Sequence, residues 1–319
     1  MKATRLLILL TCMLATAPLF SQSLDLKNFN YHKADSIANF YSGKDKVFKN
    51  TEELADTLTA NLNTDHEKFR VLFKWVCNNI TYSFAGKGYD AKKALKTRKA
   101  VCAGYSDLLH ELCYHANLWC KTITGYAKAA PEELDVEFVD ANHAWNAVKL
   151  NERWYLVDAT WAAGYFDHKL QRFNRNFNNY YFFTDSVNFN RQHFPDTASK
   201  YFQRREQYIE LPDFNLQPFY YFTFFENGMD NEFPKNKNLS YTCTEDFCFS
   251  FTTPKPITSV IAQLNPKSGD VVSSFPYKVE KDRNKYTLTG RFEYVGNYYL
   301  YIFINGWGAI VYNLKVSDT

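Results

Sequence analysis

Three short segments follow one another in fixed order: Ala100-Val101-Cys102-Ala103-Gly104-Tyr105, Asn142-His143-Ala144-Trp145-Asn146 and Leu156-Val157-Asp158-Ala159-Thr160-Trp161. The first opens a stretch with helical periodicity, and the other two lie in strand-like sequence. Together they supply a thiol, an imidazole and a carboxylate, the three parts of an activated cysteine nucleophile. A helix start and a hairpin that share one site point to an α+β fold.

Tyr105, Leu108, Leu109, Leu112, Cys113 and Ala116 recur at the spacing of a helix that buries one face. Asn117 suits the left-handed residue that ends such a helix. Cys102 therefore stands at the first turn, where unpaired N–H groups and the helix dipole favour a thiolate. Gly104 leaves room for the close approach of a substrate or a neighbouring backbone. A buried, inert cysteine fits that position as well.

His143 to Leu150 and Arg153 to Asp158 read as a β-hairpin turning at Asn151-Glu152. A loop of two or four residues places Asp158 across from Trp145, on the face of His143 and diagonal to it. A three-residue loop separates the two side chains onto opposite faces. A carboxylate beside the imidazole would fix its tautomer and stabilise the imidazolium that pairs with the thiolate.

On these motifs, residues 66–161 resemble the transglutaminase-like superfamily, relatives of the papain-type cysteine peptidases. The matching features are Cys102-x-Gly104-Tyr105 opening a helix, His143-x-Trp145-Asn146 on a strand, and Val157-Asp158-x-Thr160-Trp161 on the next strand. Phe73 to Tyr82 resembles the helix and short strand that precede the nucleophile in that superfamily. Ala100 stands where many members carry Gly. The resemblance implies Cys102 as nucleophile, His143 as general base and acid, and Asp158 as the orienting group. Tyr181 to Asp185 and Gln192-His193-Phe194-Pro195 are similar to the kyphoscoliosis-peptidase branch.

Lys2, Arg5 and the apolar run Leu6 to Ala17 read as an export signal covering residues 1–22, with a cut near Ser21 or Ser23. The expected location is periplasmic, secreted or surface-associated. Removing Lys2 and Arg5 leaves 35 basic against 34 acidic residues. That balance argues against nucleic acid or anionic lipid as a partner held by bulk charge. No later run is long enough for a stable membrane span.

The expected organisation is a catalytic domain over residues 23–185, a connecting segment over 186–238 and a β-sandwich over 239–319. Helices are expected over Thr51 to Leu62 and Thr64 to Asn79, with Thr64 and Glu67 as a capping box. Past residue 239 short strands alternate with turns: Phe247 to Phe251, Ile257 to Gln263, Tyr286 to Phe292, Tyr298 to Ile304 and Ala309 to Val316. Asn305-Gly306 is a strong hairpin signal. These suggest an immunoglobulin-like sandwich, incomplete by strand count, suited to docking or binding. Cys243 and Cys248 are either a disulfide or two free thiols, and Cys77, Cys113 and Cys120 read as core. No paired ligand spacing accompanies His193 or Cys113-x-His115, so neither a metal nor any other cofactor is expected.

The expected activity is that of a cysteine hydrolase, a peptidase or amidase working through a thioester on protein or cell-wall peptide. Water outnumbers any amine as the resolving nucleophile, and the sequence carries no feature that shields a thioester from it. The alternatives are a crosslinking transglutaminase and a non-catalytic interaction or scaffold protein that binds through its sandwich.

Overall fold

The computed structural model describes residues 25–43, 45–167, 170–202, 209–229, 232–269 and 275–318. The expected export signal lies outside them. No helix of the described residues is long and apolar enough to cross a membrane.

Three helices lead the chain: α1 (His32–Phe40), α2 (Thr51–Thr59) and α3 (Asp65–Asn79). Asn50 caps α2 by accepting from Glu53 N–H at 2.8 Å. At α3 the expected box takes another form: Thr64 Oγ1 donates to the Glu67 carboxylate and accepts no bond from a backbone N–H of the first turn. Helix α3 is buried on most of its surface, with Phe69, Phe73 and Trp75 fully covered. Its Arg70 holds α1 by a bidentate pair with Asp35, at 2.6 and 2.9 Å.

Strand β1 (Thr81–Tyr82), helix α4 (Ala91–Thr97) and strand β2 (Lys99–Ala100) bring the chain to α5 (Cys102–His115). The α5 face carrying Tyr105, Leu108, Leu109, Leu112 and Cys113 is buried, as its periodicity requires. Asn117 ends it at φ 57°, which lets Leu118 N–H reach back to the Cys113 carbonyl at 2.9 Å. At Gly104 the close neighbour is the protein itself: a Cβ would stand 2.8 Å from that of Ala100.

Helix α5 packs on an antiparallel sheet made from β3 (Trp119–Ala127), β4 (His143–Leu150) and β5 (Arg153–Val157). After α6 (Ala159–Ala163) and the hairpin β6 (Gly164–Asp167) and β7 (Arg172–Arg175), two more strands join it. These are β8 (Phe182–Thr184), against β5, and β9 (His193–Pro195), which follows α7 (Ser186–Asn190) and pairs with β3. The sheet thus extends past the boundary expected at residue 185. Strands of three residues carry too little alternation to be read from sequence.

The segment expected to be a connector holds α8 (Leu211–Leu216), β10 (Phe219–Tyr220) and α9 (Phe222–Glu226), and β10 pairs with the last strand of the sandwich. That domain contains β11 (Asn238–Thr242), β12 (Asp246–Thr252), β13 (Val260–Pro266), β14 (Tyr277–Asp282), β15 (Lys285–Arg291), β16 (Gly296–Ile304) and β17 (Trp307–Ser317). One sheet runs β10-β17-β16-β13 with β11 parallel to β17, and the other runs β12-β15-β14. Phe247, Phe249, Phe251 and Leu288 face Leu264, Leu300, Ile302 and Tyr312 in an immunoglobulin-like core.

The strand count is therefore fuller than expected. Strand β14 escaped the sequence reading because Lys278, Glu280, Lys281 and Asp282 fill an exposed sheet edge. Asn305 and Gly306 turn at φ 52° and 81°, as the hairpin signal requires. Cys243 and Cys248 are both free thiols. Phe247 and Phe249 point into the sandwich, which turns Cys248 outward, whereas Cys243 packs against the core. Cys77, Cys113 and Cys120 are buried.

Candidate active site

The hairpin of β4 and β5 turns through two residues, Asn151 and Glu152, at φ 48° and 64°. Leu150 pairs with Arg153 and Asn146 with Val157. That register carries the next position, Asp158, to a point across from Trp145 and diagonal to His143. Asp158 itself has left the strand. It is the N-cap of α6, where its Oδ1 accepts from Thr160 N–H at 2.8 Å and Trp161 N–H at 3.0 Å. Its Oδ2 accepts from His143 Nε2 at 2.7 Å.

With Nε2 spent on the carboxylate, Nδ1 is the ring nitrogen left for the thiol. Cys102 is the first residue of α5, and its thiol lies within the electrostatic reach of the His143 ring and the Ala144 backbone N–H. Burial pushes the Cys102 thiol up, but the His143 bond and charge and the Ala144 N–H outweigh it and leave the thiol below its ordinary range. Burial works against the His143 cation, yet the charge and hydrogen bond of Asp158, with those of Cys102, raise the ring to about 10. Asp158 is fully buried, which alone would raise it; the two histidines hold its carboxyl well below the usual carboxylate range. The three groups are thus linked electrostatically: the Cys102 thiol is lowered, the His143 ring raised and the Asp158 carboxyl lowered.

The neighbours fix this line in place. The first bond inside α5 runs from Tyr105 N–H to the Val101 carbonyl, so the amides before Tyr105 stand outside the helical ladder, at the end of the helix that carries Cys102. Asn142 exchanges two hydrogen bonds with the Ala127 backbone, at 2.8 and 2.9 Å, and sets the start of β4. Trp145 and Trp161 lie against the His143 ring with centroids 6.0 and 5.3 Å away.

His193, read from sequence only as part of a connection, also belongs here. Its Nε2 lies 3.0 Å from the same Asp158 Oδ2, and the side chain is fully buried. The only sequence signal was the Gln192-His193-Phe194-Pro195 segment, because the pairing of β9 with β3 bridges residues far apart in the chain. Donor atoms of His143, Asp158 and His193 lie within 4.8 Å of one another, a spacing compatible with a metal ion. Both Nε2 atoms are instead directed onto one carboxylate oxygen, an arrangement of hydrogen bonds. Cys113-x-His115 forms no such group: Cys113 is buried in the core, and His115 faces Glu111 and Thr51.

Residues 52–159 match the model of the transglutaminase-like superfamily. Over 226 residues the chain is 33% identical to human kyphoscoliosis peptidase, a match covering 69% of this chain and 33% of the relative. Over 215 residues it is 26% identical to Drosophila melanogaster Hillarin, covering 62% and 26%. Over 253 residues it is 23% identical to the Caenorhabditis elegans Lim and transglutaminase domain protein ltd-1, covering 75% and 33%. The chain spans about a third of the length of the kyphoscoliosis peptidases it matches.

Proposed function

We propose that this chain, which belongs through residues 52–159 to the transglutaminase-like superfamily and its kyphoscoliosis-peptidase branch, is a cysteine hydrolase that cleaves peptide or carboxamide bonds. The observation that carries this reading is the 2.7 Å bond from His143 Nε2 to buried Asp158 Oδ2, with the Cys102 thiol lowered by the same His143 ring. A scaffold needs no such buried ionic line, since each ion loses hydration on burial.

In the reaction the Cys102 thiolate attacks the carbonyl carbon, and the resulting oxyanion meets the amides at the start of α5. The C–N bond breaks as His143 Nδ1 gives its proton to the leaving amine, which leaves a thioester on Cys102. Water then attacks that thioester, His143 takes a proton from it, and the acid and the thiolate separate. Asp158 keeps Nε2 protonated throughout, so that Nδ1 alone exchanges the proton.

Hydrolysis and transamidation diverge only at the thioester. Incubating the purified protein with an unfolded protein mixture and a dansylated primary amine separates them. New N-termini, absent with Cys102→Ala, support hydrolysis. Incorporation of the amine without new N-termini replaces it with crosslinking, and neither product with an unreactive Cys102 leaves a binding protein. The basic and apolar stretch over Lys2 to Ala17 supports export, and the N-terminal residue of the protein isolated from its native cells tests it.

A further inference from the structure

We propose that His193 is a positioning residue for Asp158, holding the carboxylate oxygen that orients His143. The inference rests on the hydrolase reading of Cys102, His143 and Asp158 and adds a fourth residue to it.

A carboxylate held ionised is an acceptor only, so a nitrogen at hydrogen-bond distance from it must carry the proton. Asp158 Oδ1 takes the two N–H groups of the α6 start, and Oδ2 takes His143 and His193. Four donors thus fix the carboxylate plane. The Oδ1 bonds anchor one oxygen but leave the carboxylate free to pivot about it. The His193 bond at 3.0 Å fixes the second oxygen, the one that faces His143.

His193 is itself enclosed by aromatic rings. Its ring stacks on Phe189 with centroids 4.1 Å apart, and Trp161 and Trp145 lie at 4.4 and 5.1 Å. The titratable groups facing it are Asp158, His143 and Tyr181. Burial keeps the ring below the ordinary histidine range, so it donates as a neutral group and adds no charge against the His143 imidazolium. Next to it, Gln192 Nε2 donates to the Tyr220 carbonyl at 3.0 Å on β10, the strand that joins the sandwich sheet. The sheet register completes the arrangement. Gly125 pairs with both His143 and Pro195, and Ala127 pairs with His193, so the two histidines share one face of the sheet.

The test compares iodoacetamide alkylation of Cys102 from pH 4 to 9 in the wild-type chain, His193→Phe and His193→Gln. Phe keeps the ring stack and removes the donor, whereas Gln keeps an N–H. The expected result for His193→Phe is an apparent thiol pKa about one unit higher, roughly a tenfold loss of thiolate at pH 5.5, with His193→Gln in between. A wild-type profile in folded His193→Phe overturns the role of His193 and leaves the triad standing. A wild-type Cys102 that titrates like a free thiol overturns the triad as well. Should the Phe variant not fold, nitrogen-15 NMR of labelled histidine in the wild type decides. A neutral His193 protonated at Nε2 is expected, and one protonated at Nδ1 overturns the proposal.

Discussion

The side-chain amide of Asn146 donates to the backbone carbonyl of Ser106 at 3.1 Å in a fully buried setting. Asn146 lies three residues beyond His143 on β4, and Ser106 lies one turn into the helix that Cys102 opens. This bond therefore spans the gap between the element that carries His143 and the element that carries Cys102. Asn146→Ala should lower stability by about 1–3 kcal/mol, the cost of breaking a buried hydrogen bond. It should also slow Cys102 alkylation more than that loss explains. Chemical denaturation and alkylation rates measured together check this, and a variant less stable but equally reactive would limit Asn146 to packing.

Cys102 should alkylate rapidly near pH 5, where an ordinary thiol is almost wholly protonated. The direction follows from its lowered pKa and from the His143 bond that outweighs the cost of burial. In His143→Ala the hydrogen bond and the cation both go, while the burial remains. Alkylation should then rise only above pH 8. Equal profiles in the two proteins would mean that no ion pair exists.

The same groups set how stability varies with pH. His143 is raised to about 10, so its contribution is complete below the unfolded value of 6.5 and is lost as pH rises through about 10. Asp158 is lowered from 3.8, so its contribution is present above that value and is lost as pH falls through its folded pKa. Both are in force between about pH 4 and 6.5. The stability difference between wild type and His143→Asn, measured by denaturation, should be largest near pH 5.5 and smaller at pH 9. A difference that grows with pH reverses the sign and removes the pair.

Much of this site was legible in the chain itself. The start of α5 followed from the periodicity after Cys102, and its end from Asn117. The parity of the Asn151-Glu152 turn decided which face Asp158 would share. Asp158 was read as the last residue of the hairpin strand from Arg153, whereas its oxygen found two free N–H groups and capped a helix instead. His193 was not placed, since only the long-range pairing of β9 with β3 brings it to the carboxylate. Strand β14 was missed for a related reason: an exposed edge imposes no alternation that a sequence could display.

Asp158→Asn should cost more activity than its modest change in shape suggests. An amide has one accepting oxygen, and Oδ1 and Oδ2 of Asp158 each already accept two bonds. If the Asn oxygen keeps the cap of α6, its NH2 group meets two imidazole N–H groups and forces at least one ring into the other tautomer. With Nδ1 protonated on a neutral ring, His143 can no longer act as a base toward Cys102. A loss of roughly 10³-fold or more in peptide cleavage is expected, with the fold retained. A loss below about tenfold, measured on a substrate the wild type cleaves, would show that Asp158 serves the α6 cap and not the imidazole.

Gly125 joins the two halves of the arrangement. It pairs with His143 on one side and Pro195 on the other, and a Cβ there would stand 2.6 Å from Trp145 Cη2 and 2.9 Å from Pro195 Cα. Trp145 is fully buried against His143 and His193, and the Pro195 atom is backbone, so neither yields without moving β9. Gly125→Ala should therefore destabilise the fold by about 1–3 kcal/mol through overpacking. It should also raise the apparent pKa of Cys102, because displacing β9 withdraws His193 from Asp158. Thermal unfolding and the alkylation profile read the two effects separately. A lowered melting temperature with an unchanged thiol pKa would mean that the triad tolerates movement of β9 and does not depend on its register.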